Sequence, residues 1–206
     1  LSSLQQNSTV RALRDKLAAD MVVLVAENSD YCGYASLWVT ITSAGTNTDA
    51  YAVVNSGCLS NHSLAHEVGH LQGLGHNREN EGGTPAYPYA YGYRVCVSGG
   101  FRDIMSYPCT SDVPRVLNFS NPYVYYNGYA TGIAYETNAS KAAEAARALN
   151  DSAVKVAAYR VSSTSTATAP AAPASLAIQS SAYNKVSIGW VDNASNESGF
   201  KLERSA

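Results

Sequence analysis

HEVGHLQGLGH, residues 66–76, holds three of the four histidines in a 206-residue chain. His66 and His70 are four apart, so a helix places both imidazoles on one face, one turn apart, where they can grip a single ion. Glu67 follows the first histidine directly and stands to the side of the pair. Gly73 lets the chain leave the helix in a conformation other residues resist, so that His76 can return as a third ligand. Three neutral imidazoles with an open fourth position describe a catalytic zinc site and not a closed structural one. The fourth histidine, His62, is also four residues from His66. A zinc bridging His62 and His70 would have to span about 12 Å of helix axis, which bonds of about 2 Å cannot do. His62 is read as a helix-start residue.

Outward from this stretch, Asn61 to Leu71 reads as a helix, with Asn61 or Ser60 as its cap. STVRALRDKLAA, residues 8–19, reads as an amphipathic helix with Val10, Leu13 and Leu17 on its apolar face. Met21 to Ala26 is a continuous apolar run, as expected for a strand buried on both faces of a parallel sheet. Leu37 to Ile41 and Tyr51 to Val54 are further strand candidates. Residues 77–100 are loop-like and rich in tyrosine, which suits either loop packing or a sugar-stacking surface. Asn138 to Tyr159 reads as a long alanine-rich helix. FRDIMSYPC, residues 101–109, sets Met105 in a tight turn, with Tyr107 two residues on.

Composition narrows the function classes. The net charge of −2 and the 15% of charged residues offer no basic field for nucleic acid. The apolar runs are too short to span a bilayer. Residues 1–10 lack the basic start and apolar core of a signal peptide, so any targeting segment lies outside this sequence or has been removed. Cys32, Cys58, Cys96 and Cys109 form no Cys-x-x-Cys pair, and their even count at wide spacing suits two disulfides and an oxidising compartment. Three pairings are open; sequence order favours Cys32–Cys58 with Cys96–Cys109. Buried free thiols are the alternative.

At Arg160 the composition changes. Residues 162–175 (SSTSTATAPAAPAS) read as a linker of the Ser/Thr/Pro/Ala type. Residues 176–206 alternate like short strands and, with Trp190 and the NESGFKLERS ending, resemble the start of a fibronectin type III module. Only its first strands are present and a sandwich needs both sheets, so residues 173–206 are expected to be poorly ordered or packed opportunistically.

The extended HExxHxxGxxH motif followed by Met105 resembles the metzincin zinc peptidases. RDKLAADMVVLVAE, YCGYA, AYGYR, IMSYPC, FSNP at 119–122 and the VAAYR ending extend the likeness to the peptidyl-Asp metalloendopeptidase family, over roughly residues 8–160. The resemblance implies an α/β (α+β) zincin domain over residues 1–161, with a mostly parallel twisted sheet, an antiparallel edge strand, an active-site helix and a long C-terminal helix. It implies zinc on His66, His70 and His76, Glu67 as general base, Met105 as an apolar floor under the metal, and Tyr107 as a group that reaches the metal or the oxyanion. Cleavage beside aspartate would want a cation in the substrate pocket, for which Arg94, Arg102 and Arg115 are candidates. Two departures stand out. Asn77 takes the place where many relatives carry aspartate, and no strand, helix and strand precede residues 8–19, as in a fragment or a trimmed relative.

The expected protein is a secreted, monomeric zinc endopeptidase acting on proteins or peptides, with Tyr51 to Val54 as the sheet edge that aligns the substrate backbone. The rival is an extracellular binding protein whose zinc site is inert and whose tyrosine-rich loop and tail do the work; an intact Glu67 argues against it. Zinc-dependent hydrolysis of a non-peptide bond would use similar metal chemistry.

Overall fold

Asn7 starts the first amphipathic helix: its side-chain oxygen accepts the Val10 amide at 3.1 Å. The computed structural model describes residues 1–27, 31–36, 41, 49–110, 112–160, 171–195, 199–200 and 202. They fall into two units, Leu1–Ser163 and Thr164–Ala206. A short α1 (Ser2–Gln6) precedes α2 (Ser8–Lys16). Helix α2 ends three residues earlier than the sequence pattern suggests, because Ala18 adopts a left-handed φ of 49°. It also presents a different face. Leu13 and Leu17 are 52% and 66% exposed, whereas Arg14 is buried. The Arg14 guanidinium donates to the carbonyls of Ala19 (3.0 Å) and Asp20, and lies 4.9 Å from the Tyr51 ring centroid. Backbone acceptors and an aromatic face compensate the buried charge that apolar periodicity could not foresee.

Among the described residues three strands make the main sheet: β1 (Val22–Ala26), β2 (Gly33–Ala35) and β3 (Tyr51–Asn55). Their order is β1-β3-β2, with β1 parallel and β2 antiparallel to β3. The expected mostly parallel twisted sheet is not what forms. Among the described strands β1 lies at an edge, with Leu24 and Val25 exposed, not buried on both faces. Of the strand candidate at 37–41, residues 37–40 lie outside the described residues; Ile41 is buried with Ala50, Val156 and Tyr159.

A 3-10 turn (Ser56–Asn61) leads from β3 into α3 (Ser63–Leu71). β4 (Gly75–Asn77) then pairs in parallel with β5 (Tyr91–Gly92). β6 (Arg94–Val95) with β7 (Phe101–Arg102), and β8 (Tyr125–Tyr126) with β9 (Tyr129–Ala130), form two-residue antiparallel ladders. The intervening tyrosines pack the loop. Tyr87 and Tyr89 stack at 5.5 Å, and both hydroxyls bond to Asp151. That residue lies in α4 (Ala145–Val156). The expected long helix is therefore only twelve residues. Its intended first turns spend their backbone elsewhere: Ala143 bridges Ile133, and the Glu144 amide donates to Tyr89 O at 2.7 Å. Beyond α4, the buried Tyr159 hydroxyl donates to Leu71 O at 3.2 Å, satisfying a carbonyl at the end of α3.

The second unit carries an antiparallel hairpin, β10 (Ala174–Ala182) with β11 (Lys185–Val191), and Trp190 meets Phe200 edge-on at 5.3 Å. The strand β10 is exposed throughout. Residues 162–170 of the linker lie outside the described residues. No helix among the described residues is long and apolar enough to cross a membrane.

Both disulfides, Cys32–Cys58 and Cys96–Cys109, follow sequence order. The first ties β2 to the 3-10 turn that launches α3. With its cysteines separated by 26 positions in sequence, replacing both by serine should lower the unfolding free energy by about 3 kcal/mol, read as a reduced denaturant midpoint. An unchanged midpoint would show that the sheet alone holds β2.

Candidate metal centre

Helix α3 begins where the chain turns left-handed at His62 (φ 70°), and the Asn61 side-chain oxygen accepts the Ser63 amide at 3.2 Å. His62 is thus a boundary residue, as its position predicts. His66 and His70 then project from one face of the helix. Between them Gly69 leaves room for Met105: a methyl group added there would sit 2.7 Å from the Met105 sulfur. Met105 is fully buried. After Leu71 the chain turns at Gly73 (φ 89°), with Leu74 N bonded to Gly69 O at 3.0 Å. β4 runs back alongside β5 and delivers His76.

The three rings converge. His70 Nε2 lies 3.1 Å from His66 Nε2 and 3.1 Å from His76 Nε2. Each Nδ1 faces an acceptor: Ile104 O at 2.8 Å for His66, Leu74 O at 2.8 Å for His70, and Glu81 Oε2 at 3.3 Å for His76. A carbonyl can only accept, so the proton of a neutral ring sits on Nδ1 and Nε2 carries a lone pair. Burial, first of all, pulls His66 down to about 3 and His70 to about 4. It also lowers His76, against the opposing charge of Glu81. At neutral pH three lone pairs therefore point at one another, an arrangement that a shared cation resolves. Nitrogens bound tetrahedrally to zinc at about 2.0–2.1 Å lie about 3.3 Å apart, close to the observed spacing. Among the described residues these three side chains form a group able to hold one ion.

Glu67 is buried against β2. A methyl group on Gly33 would fall 2.3 Å from Glu67 Oε1, so that strand position must be glycine for the carboxylate to lie where it does. Burial raises the Glu67 carboxyl to about 7, and the charge of Arg115 works against that rise. His66, Glu67, His70, His76, Tyr107 and the residues of β2 line one cleft of about 400 Å³.

The turn after β7 closes the other side. The Tyr107 ring stacks beside His76 at 4.5 Å, and its amide donates to Asn77 Oδ1 at 3.0 Å. Asn77 is buried and also donates to Glu79 (2.6 Å) and Asn80 (2.8 Å). An amide oxygen therefore supplies the acceptor that holds this turn. Asp103, wholly buried, accepts from Ser106 Oγ at 2.6 Å, and burial raises its carboxyl to about 7. The three candidate arginines separate. Arg94 spends its guanidinium on the carbonyls of Tyr107 (3.1 Å) and Pro108 (2.7 Å), whereas Arg102 and Arg115 line the cleft.

Two residues escaped the sequence reading. Glu81 holds His76 twice, through the backbone amide at 2.6 Å and the ring at 3.3 Å. Gly33 makes room for Glu67. Neither belongs to a spacing motif; the only signal was that the strand facing a buried carboxylate needs a small residue.

The profile of Metallo-peptidase family M12 matches residues 1–120. The chain is 37% identical over 155 residues to a peptidyl-Asp metalloendopeptidase of Stenotrophomonas maltophilia strain K279a, a stretch that is 74% of this chain and 34% of that protein. A namesake from Xanthomonas campestris pv. campestris is 36% identical over 153 residues, again 74% of this chain and 34% of its own length. The chain thus spans about a third of the length of these curated relatives. A solved structure titled "Structure of a chaperone-substrate complex" superposes with a TM-score of 0.54 at 22% identity, over 78% of this chain and 26% of that one, a likeness of fold. With the matched profile covering more than half of its residues and the imidazole cluster lying inside the match, the chain belongs to metallo-peptidase family M12.

Proposed function

We propose that residues 1–161 form the catalytic domain of a secreted, monomeric zinc endopeptidase that hydrolyses proteins or peptides and favours bonds next to aspartate. The observation that carries the reading is the convergence of three Nε2 lone pairs beside a buried carboxylate in an open cleft. His66, His70 and His76 would hold the ion. Bound zinc would lower the pKa of a water from about 16 to near 7 and polarise the scissile carbonyl.

The chain's own groups do the rest. Glu67, lifted by burial toward neutrality, takes a proton from the attacking water at a carboxylate oxygen and later returns it to the leaving amine. The Tyr107 hydroxyl, on the cleft wall, is a donor for the carbonyl oxygen as it gains charge. Met105 is the apolar floor beneath the histidines. Substrate alignment falls to a different strand from the one the sequence suggested. β3 is flanked on both sides, by β1 and β2, so Tyr51 to Val54 present no free edge. Among the described strands β2 lies at an edge, and its residues line the cleft, which suits an extended peptide added alongside Gly33–Ala35.

Aspartate preference is supported by the names of the curated relatives, and secretion by the two disulfides. Residues 162–175 would be the linker and residues 176–206 the beginning of a fibronectin type III-like module, a reading that the β10–β11 hairpin suits.

Zinc-loaded protein should cleave a casein-type substrate and lose that activity to a chelator; no cleavage with full zinc occupancy would end this reading. Glu67→Gln should keep zinc and lower turnover about 10²–10⁴-fold, the range for removal of a general acid–base group. Tyr107→Phe should cost less than the roughly 10²–10³-fold of a fully committed oxyanion donor, and an unchanged rate would make Tyr107 structural. Glu81→Ala should weaken zinc binding about 10–100-fold in a chelator competition, as expected for a carboxylate that orients a metal-binding histidine. Equal affinity would reduce Glu81 to a loop contact.

A further inference from the structure

Arg102 and Arg115 sit opposite each other across an isolated parallel bridge, with Arg102 N bonded to Pro114 O at 2.9 Å and Val116 N to Arg102 O at 2.8 Å. Like charges in such positions repel. Both residues nonetheless line the cleft that holds the three histidines. Neither guanidinium lies within ion-pair distance of a carboxylate among the described residues.

Each arginine is anchored at one end only. Arg102 Nη1 donates to Ser106 O at 3.1 Å, and Arg115 Nη1 donates to Asn61 O at 2.7 Å. Arg115 Nε is buried and has no hydrogen-bond partner. An orphaned donor on a desolvated cation is costly unless a ligand completes it. Burial lowers the pKa of both guanidiniums, and the neighbouring Arg102 charge lowers that of Arg115 further. The charges of Asp103 and Glu67 oppose that lowering at Arg115, yet neither acid forms an ion pair with it: Asp103 is fully buried and bonded to Ser106, and Glu67 lies against Gly33. Arg94, the third candidate, is occupied by two backbone carbonyls.

We infer that Arg115 and Arg102 together form the subsite that receives the carboxylate side chain of the substrate residue beside the scissile bond, with the Arg115 guanidinium as its principal donor and Arg102 as the second positive charge. This rests on the endopeptidase reading and adds to it the residues that set side-chain preference. A carboxylate is planar and accepts two parallel N–H donors, which a guanidinium presents and an ammonium does not.

The test uses two peptides that differ only in aspartate or asparagine beside the scissile bond. The full zinc-loaded chain should show an Asp/Asn ratio of kcat/KM of about 10- to 100-fold, the range for a hydrogen bond to a charged group. Arg115→Gln should bring that ratio close to one, Arg102→Gln should lower it in part, and Arg115→Lys should recover only some of it. Arg94→Gln should leave the ratio where it was. A ratio that Arg115→Gln and Arg102→Gln leave unchanged overturns the subsite while the peptidase stands.

A binding arm needs no turnover. With Glu67→Gln as background, calorimetry should show tighter binding of the aspartate peptide, an advantage lost when Arg115→Gln is added. Should Arg115→Gln fail to fold, Arg102→Gln and Arg115→Lys carry the same comparison. Should the unmutated zinc-loaded chain cleave neither peptide while the Glu67→Gln background shows preferential, arginine-dependent binding, the endopeptidase reading fails and the subsite stands. Equal binding of both peptides would sink the subsite.

Discussion

Three imidazole lone pairs, those of His66 and His76 each 3.1 Å from that of His70, cannot coexist comfortably without a cation, and the structure is arranged to keep them there. Every Nδ1 is tied to an acceptor belonging to a different part of the chain: the turn before Met105, the segment just after α3, and the loop that carries Glu81. The tautomer and the ring orientation follow from those three contacts, and burial keeps the imidazoles neutral against their pull. Helix α3 is in turn fixed at both ends, by Asn61 at its start and by Tyr159 at its last carbonyls. The first disulfide, β2 and the residues after α4 all serve one local geometry.

That geometry also explains the small residues. Gly69 admits the Met105 sulfur beneath the helix, and Gly33 admits the carboxylate of Glu67 beside the edge strand. Gly73 supplies the left-handed turn that returns His76. A methyl group at Gly33 or Gly69 would close space that a functional side chain occupies. At Gly73 it would meet the Ala86 methyl at 2.4 Å as well as straining the backbone.

The helix that carries His66 and His70, the helix-start position of His62 and the turn at Met105 were legible in the sequence because each is local, and the disulfides are the pairing that sequence order favoured among three. A spacing of four on a helix, a glycine after it and an even count of cysteines carry their own geometry. What the sequence hid is tertiary. Periodicity marked Leu13 and Leu17 as inward, yet the carbonyls of Ala19 and Asp20 draw Arg14 inward instead. The alanine-rich run from Asn138 was read as one helix, but its first residues pair with Ile133 and Tyr89 before α4 begins. The run at Met21 to Ala26 could not reveal that its sheet has only three described strands. Likewise three arginines were equivalent on paper; hydrogen bonds to the carbonyls of Tyr107 and Pro108 remove Arg94, and position across a bridge selects the other two.

The central claim concerns coordination, so a crystal structure of the zinc-loaded protein, with the ion located by its anomalous signal, tests it most directly. The account predicts one zinc bound by Nε2 of His66, His70 and His76 at about 2.0–2.1 Å, with solvent in the remaining position next to Glu67. Zinc found elsewhere, or a fourth protein side chain closing that position, would contradict it.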